Sequence, residues 1–158
     1  MRGLRLFAVL AVVAAIGVVV ATYFIPGQSA AAGSINTLGT QGVAIRGYDP
    51  VAYFTEGAPK QGKSEFTAEH EGARWQFASA ENKALFEADP AKYTPAYGGF
   101  CAYGVAQGYL VKIEPDAWSI RDGRLYLNYD QSVQAQWSEK PAEYIAQADD
   151  KWPGLIAK

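Results

Sequence analysis

Hydrophobic and polar residues follow three different patterns along this chain. From Leu6 to Ile25 the run LFAVLAVVAAIGVVVATYFI carries no charge. About 20 apolar residues are enough to cross a bilayer as a helix, and a run with no polar face does not suit a helix on the surface of a soluble domain. Farther on, the pattern alternates. SEFTAEH (64–70) and RWQFAS (74–79) flank Glu71-Gly72-Ala73, and Trp75 and Phe77 alternate with Arg74 and Gln76, which predicts a β-hairpin around a glycine turn. WSIRDGRLYLNYD (118–130) predicts a second hairpin around Asp122-Gly123, a pair that tolerates positive φ at both central positions.

Between and after the hairpins the spacing is helical. Ser79 stands where a helix cap belongs, with Glu81 in the first turn, and that helix ends before Pro90; a one-turn helix over 91–93 follows. Asp130 caps a helix to about Glu139, and Pro141 opens another to about Asp149. Residues 35–47 read as short extended pieces before a turn at Tyr48-Asp49-Pro50, and Val51 to Phe54 fit a helix or a strand equally. The order strand, strand, helix, strand, strand, helix predicts an α+β domain of small antiparallel sheets packed by helices. No glycine-rich phosphate loop is present, and no internal repeat stands out.

Charge fixes the setting. Arg2 and Arg5 precede the apolar run, so by the positive-inside bias the rest of the chain faces the exported, periplasmic side of the cytoplasmic membrane. Residues 1–33 serve as a signal peptide, cleaved near Ser29-Ala30-Ala31-Ala32, or as a retained membrane anchor. Residues 34–158 form one domain. Of the 14 Lys and Arg residues, the two arginines at the start leave 12 against 16 acids, a formal charge of −4 for the exported part. That argues against nucleic acid as a partner. A single cysteine excludes an internal disulfide, so packing must hold the domain together.

Three stretches in order then resemble the YHS domain family. They are Asp49-Pro50-Val51, then Gly72-Ala73-Arg74-Trp75-Gln76-Phe77-Ala78-Ser79, then Phe86-Glu87-Ala88-Asp89-Pro90-Ala91-Lys92-Tyr93. The match covers roughly 48–93, and the rest of the chain, from YGGFCAYGVAQG (97–108) onward, is similar to a C-terminal extension found in an exported branch of such proteins. The resemblance implies heavy-metal binding, copper foremost, in a domain type that also occurs in copper-transporting ATPases. Where the metal-associated branch has cysteines, this chain has Ala52, Ala78 and Asn82. Its cysteine site therefore does not carry over, while the scaffold does.

Two soft or borderline donors remain in the exported part, Cys101 and His70. Together they suit Cu(I) in a two-ligand site; zinc or Cu(II) would need further donors, with Asp49, Tyr48 and Asp116 as candidates near turns. The plainer alternatives are a cysteine buried as a small hydrophobe, a histidine on a hairpin surface, glycines 98, 99 and 104 serving turns, and Tyr97, Phe100 and Tyr103 filling the core. A cysteine nucleophile activated by His70, with Asn82 or Asn128 as orienter, is an enzyme reading that lacks a visible oxyanion hole. A third reading is an accessory subunit of a membrane complex, with Trp118, Trp137 or Trp152 at an interface. The expectation is a non-catalytic, exported metal-binding domain that senses, stores or delivers copper, with zinc as the other ion.

Overall fold

The computed structural model describes residues 33–157. The apolar run and its signal or anchor role lie outside the described residues. Among those described, no helix is long and apolar enough to cross a membrane. The architecture is α+β: two two-stranded antiparallel sheets and six helices among the described residues. After a helical turn, α1 (Ala52–Thr55), come β1 (Lys63–His70), β2 (Ala73–Phe77), α2 (Ala80–Ala88) and α3 (Pro90–Tyr93). The chain then continues through α4 (Ala102–Gln107), β3 (Glu114–Arg121), β4 (Arg124–Asn128), α5 (Gln131–Glu139) and α6 (Pro141–Ile156). The undecided stretch at Val51 to Phe54 is thus helical.

The second half repeats the first, contrary to the expectation that the chain holds no repeat. From the first hairpin onward each element opens 51 residues after its counterpart: β1 at 63 and β3 at 114, β2 at 73 and β4 at 124, α2 at 80 and α5 at 131, α3 at 90 and α6 at 141. Both hairpins turn through paired left-handed residues, Glu71 and Gly72 (φ 50° and 75°) and Asp122 and Gly123 (φ 49° and 74°). Both ladders carry a register shift at the same place, between Lys63 and Thr67 and between Glu114 and Trp118. The caps agree as well: the Ser79 hydroxyl accepts from the Asn82 N–H at 3.1 Å, and the Asp130 carboxylate accepts from the Val133 N–H at 2.8 Å. Trp75 stacks on Phe86 at 5.3 Å and 34°, and at the equivalent positions Tyr126 stacks on Trp137 at 5.2 Å and 34°. Few paired positions keep the same residue (Gly72 and Gly123, Ala84 and Ala135, Pro90 and Pro141, Ala91 and Ala142, Tyr93 and Tyr144), which is why the repeat escapes the eye. The signal that finds it is an aromatic followed by Pro-Ala-x-Tyr: Phe86…Pro90-Ala91-Lys92-Tyr93 and Trp137…Pro141-Ala142-Glu143-Tyr144.

Residues 35–47 do not extend as expected. They bend into a turn over Ala44–Gly47 in which Ile45 and Arg46 take left-handed φ of 41° and 60°. A matching turn over Ala96–Gly99 places Tyr97 and Gly98 at 55° and 58°. β-branched and aromatic residues rarely take such angles, and one buried residue ties the two turns together. The Asn36 N–H donates to the Gly98 carbonyl at 2.9 Å, its carbonyl accepts from the Ile45 N–H at 2.9 Å, and its Nδ2 donates to the Gly99 carbonyl at 2.9 Å. Gly98 permits this approach, because a Cβ there would stand 1.7 Å from the Ser34 carbonyl oxygen.

Around the clamp lie two apolar clusters. One gathers Ile45, Tyr53, Trp75, Phe77 and Phe86 with Leu125 and Leu127; the other gathers Tyr97, Phe100, Val105, Tyr126, Trp137 and Ala148. Tyr97 and Phe100 therefore pack the core, as the plainer reading held, and Tyr103 packs against both clusters. Helix α6 runs seven residues past its predicted end, through Pro153. Apolar positions continue there at helical spacing, with Tyr144, Ala148, Trp152 and Leu155 packing on the second cluster, and that burial outweighs the break signalled by Asp149-Asp150 and Pro153.

Candidate functional site

Cys101 caps α4 from the inside. It is buried, with 1% of its surface exposed, and its Sγ accepts the Gly104 N–H at 3.3 Å. The thiol lies 3.7 Å from Asn128 Oδ1, to which it donates. Asn128 is itself fully buried; its Oδ1 also accepts the Tyr103 N–H at 3.2 Å, while its Nδ2 has no partner among the described residues. Burial pushes the thiol pKa up, against the backbone N–H groups of Gly104, Tyr129 and Tyr103, which pull it down; the Asp130 charge adds slightly to the rise. Cys101 in the free protein is therefore a neutral, shielded thiol.

The repeat gives this environment a counterpart. In the first half Asp49 stands two residues past its left-handed turn, as Cys101 does in the second. Its fully buried carboxylate accepts the N–H of Val51 at 2.8 Å, of Ala52 at 3.3 Å and of Ala78 at 2.8 Å, and the Asn82 amide at 2.7 Å. By position Val51, Ala52 and Ala78 match Tyr103, Gly104 and Tyr129. Of these three in the second half, the Gly104 N–H bonds Sγ, as the Ala52 N–H bonds Asp49, while the Tyr103 N–H goes to Asn128 Oδ1. Asp49 and Asn82, considered above as a metal donor and a histidine orienter, are thus structural partners of one another.

His70, the other donor of the pair expected from sequence, ends β1. Its ring packs edge-on against Phe86 at 5.6 Å, and its Nε2 lies 3.5 Å from Glu71 Oε1. No hydrogen bond joins it to Cys101, Asn82 or Asn128 among the described residues, so the nucleophile-and-base arrangement has no geometry here. Tyr48 packs against the first cluster and Asp116 lies exposed on β3. Among the described residues no group of three or more His, Cys, Asp or Glu side chains is placed to hold a metal ion.

His70 instead lines a cleft of about 480 Å³ between the two halves. The first half supplies His70, Glu71 and Thr94; the second supplies Tyr97, Arg124 and Trp152. Thr94 Oγ1 is buried without a hydrogen-bond partner among the described residues. The Arg124 guanidinium lies 5.9 Å from the Tyr97 ring centre, and no carboxylate lies within ion-pair distance of it among the described residues. The Tyr97 hydroxyl donates to Asp149 Oδ1 at 2.9 Å and is turned to α6. Sequence reasoning singled out His70 and Trp152 but not Thr94 or Arg124, which stand in no motif and become neighbours only when the halves pack.

The chain matches no known family model, no curated protein and no solved structure.

Proposed function

We propose that this chain is an exported, non-catalytic binding domain of the YHS type, and that copper is its ion, with the Cys101 thiolate as the principal donor. The observation that carries the reading is the buried Sγ at the N-terminus of α4, which accepts the Gly104 N–H at the position where Asp49 accepts the Ala52 N–H in the first half. That donor stabilises the thiolate that forms when Cu(I) replaces the thiol proton, while burial keeps the metal-free thiol protonated and away from oxidants. The motif on which the family resemblance rests, an aromatic followed by Pro-Ala-x-Tyr, occurs in both halves. His70, the second donor proposed from sequence, lines the cleft and makes no hydrogen bond to Cys101 among the described residues, so Cys101 carries the reading.

The test is a Cu(I) titration of the full chain in detergent, kept reduced, beside Cys101→Ser and His70→Ala. The reading expects about one equivalent of copper, lost in Cys101→Ser. It also expects affinity to rise with pH, since binding expels a proton from a thiol whose pKa burial has raised. A copper stoichiometry unchanged by Cys101→Ser rejects Cys101 as the ligand. Absence of copper binding, together with recovery of a membrane protein on purification, would instead favour an accessory subunit of a membrane complex.

A further inference from the structure

The cleft between the halves has a chemistry of its own, separate from the copper reading. Its volume, about 480 Å³, lies within the range of small-molecule sites, which are mostly apolar with a few converging polar groups. Pro95, Trp152 and Ile156 supply apolar wall. Arg124 supplies a guanidinium, the group best matched to a carboxylate by its planar fork of donors. Thr94 supplies a hydroxyl that the protein leaves without a partner among the described residues, and such a buried orphan asks for one from a ligand.

We propose that this cleft binds a small organic monocarboxylate with a flat apolar body. The carboxylate pairs with Arg124 and accepts from the Thr94 hydroxyl, and the body lies against Trp152. Glu71 in the same wall sets the charge the site accepts: with one guanidinium opposed by one carboxylate, a monoanion is accommodated and a dianion is repelled. The two halves do not duplicate this set of groups. The paired positions of His70 and Glu71 are Arg121 and Asp122, and that of Thr94 is Ile145, so the second half does not reproduce the set of groups.

The test uses the full chain in detergent, with sodium benzoate as probe, benzyl alcohol as its uncharged analogue and inorganic phosphate as the dianion, read by amide chemical shifts. Benzoate is expected to shift the amides of Thr94, Tyr97, Gly98 and Arg124 saturably, and to bind at least about tenfold more tightly than benzyl alcohol, as loss of a charge-assisted pair implies. Arg124→Gln should weaken benzoate by a similar factor, and Thr94→Val by several-fold. Arg124 is exposed, so its variant keeps the fold, which a thermal melt verifies. Equal affinity for benzoate and benzyl alcohol, tighter binding of phosphate than of benzoate, an unchanged benzoate affinity in a folded Arg124→Gln, or no saturable shift at the cleft would each overturn the proposal.

Discussion

Replacing Asp49 by Asn changes one atom in a buried carboxylate and tests a side chain that accepts four hydrogen bonds. Asp49 has no exposed surface, and its two oxygens accept four hydrogen bonds. In Asp49→Asn one oxygen can still serve the N–H groups of Val51 and Ala52. The new amide nitrogen, however, faces two other donors, the Ala78 N–H at 2.8 Å and Asn82 Nδ2 at 2.7 Å. Turning the amide over only moves the conflict to Val51 and Ala52. Two charge-assisted bonds are therefore lost, each worth about 1.5–3 kcal/mol, and two buried donors are left facing a third. A cost of about 3–5 kcal/mol follows, a large part of the 5–15 kcal/mol that holds a typical domain together. Urea unfolding of residues 34–158, followed by tryptophan fluorescence with the slope checked for two-state behaviour, measures it. Asn82→Ala alone removes one of those donors along with its side chain, so it should cost less, and the double variant should cost less than the sum of the two. A loss below about 1 kcal/mol for Asp49→Asn would refute the claim that this carboxylate joins the turn, the first hairpin and α2.

Other expectations follow from single contacts. Gly98→Ala should cost more than about 3 kcal/mol or abolish folding, since its Cβ meets backbone at 1.7 Å with φ at 58°; normal unfolding of that variant would mean the Asn36 clamp is dispensable. Trp75→Phe should cost about 1 kcal/mol more than Trp137→Phe, because Trp75 Nε1 donates to the His70 carbonyl at 3.2 Å while Trp137 Nε1 has no partner among the described residues; equal unfolding free energies would count against this. Burial raises the phenol pKa of Tyr97, helped by its bond to Asp149, and burial raises that of Tyr53. Their folded-state pKa values lie above the unfolded value of about 10, so their contribution is fully present below that pH and is lost as pH climbs beyond it. Urea midpoints should therefore fall between pH 9 and pH 11, and Tyr97→Phe should make that fall shallower; an unchanged slope would contradict the assignment.

The hairpins, their Asp-Gly and Glu-Gly turns, and the caps at Ser79 and Asp130 were legible in the sequence because each depends on residues a few positions apart. The α+β class followed from their order. Residues 35–47 misled because the left-handed angles of Ile45 and Arg46 are unfavourable locally and persist only through Asn36, which also bonds Gly98 and Gly99 more than 60 residues away. The end of α6 misled for a similar reason, since Pro153 is a local stop signal overridden by burial of Trp152 and Leu155. The repeat was written in the sequence at only a few positions, because either half needs an aromatic at each core site rather than one particular aromatic.

Sequence alone determined the periodicities, the charge balance, and the presence of one thiol and one imidazole. Only the tertiary structure decided where those two groups lie. Cys101 sits buried at the start of α4 in the position that Asp49 holds in the first half, and His70 sits at a cleft that Thr94 and Arg124 complete. Local pattern is governed by contacts a turn or a strand pair apart, whereas Asn128 reaches Cys101 across 27 residues and the cleft forms only where the two halves meet.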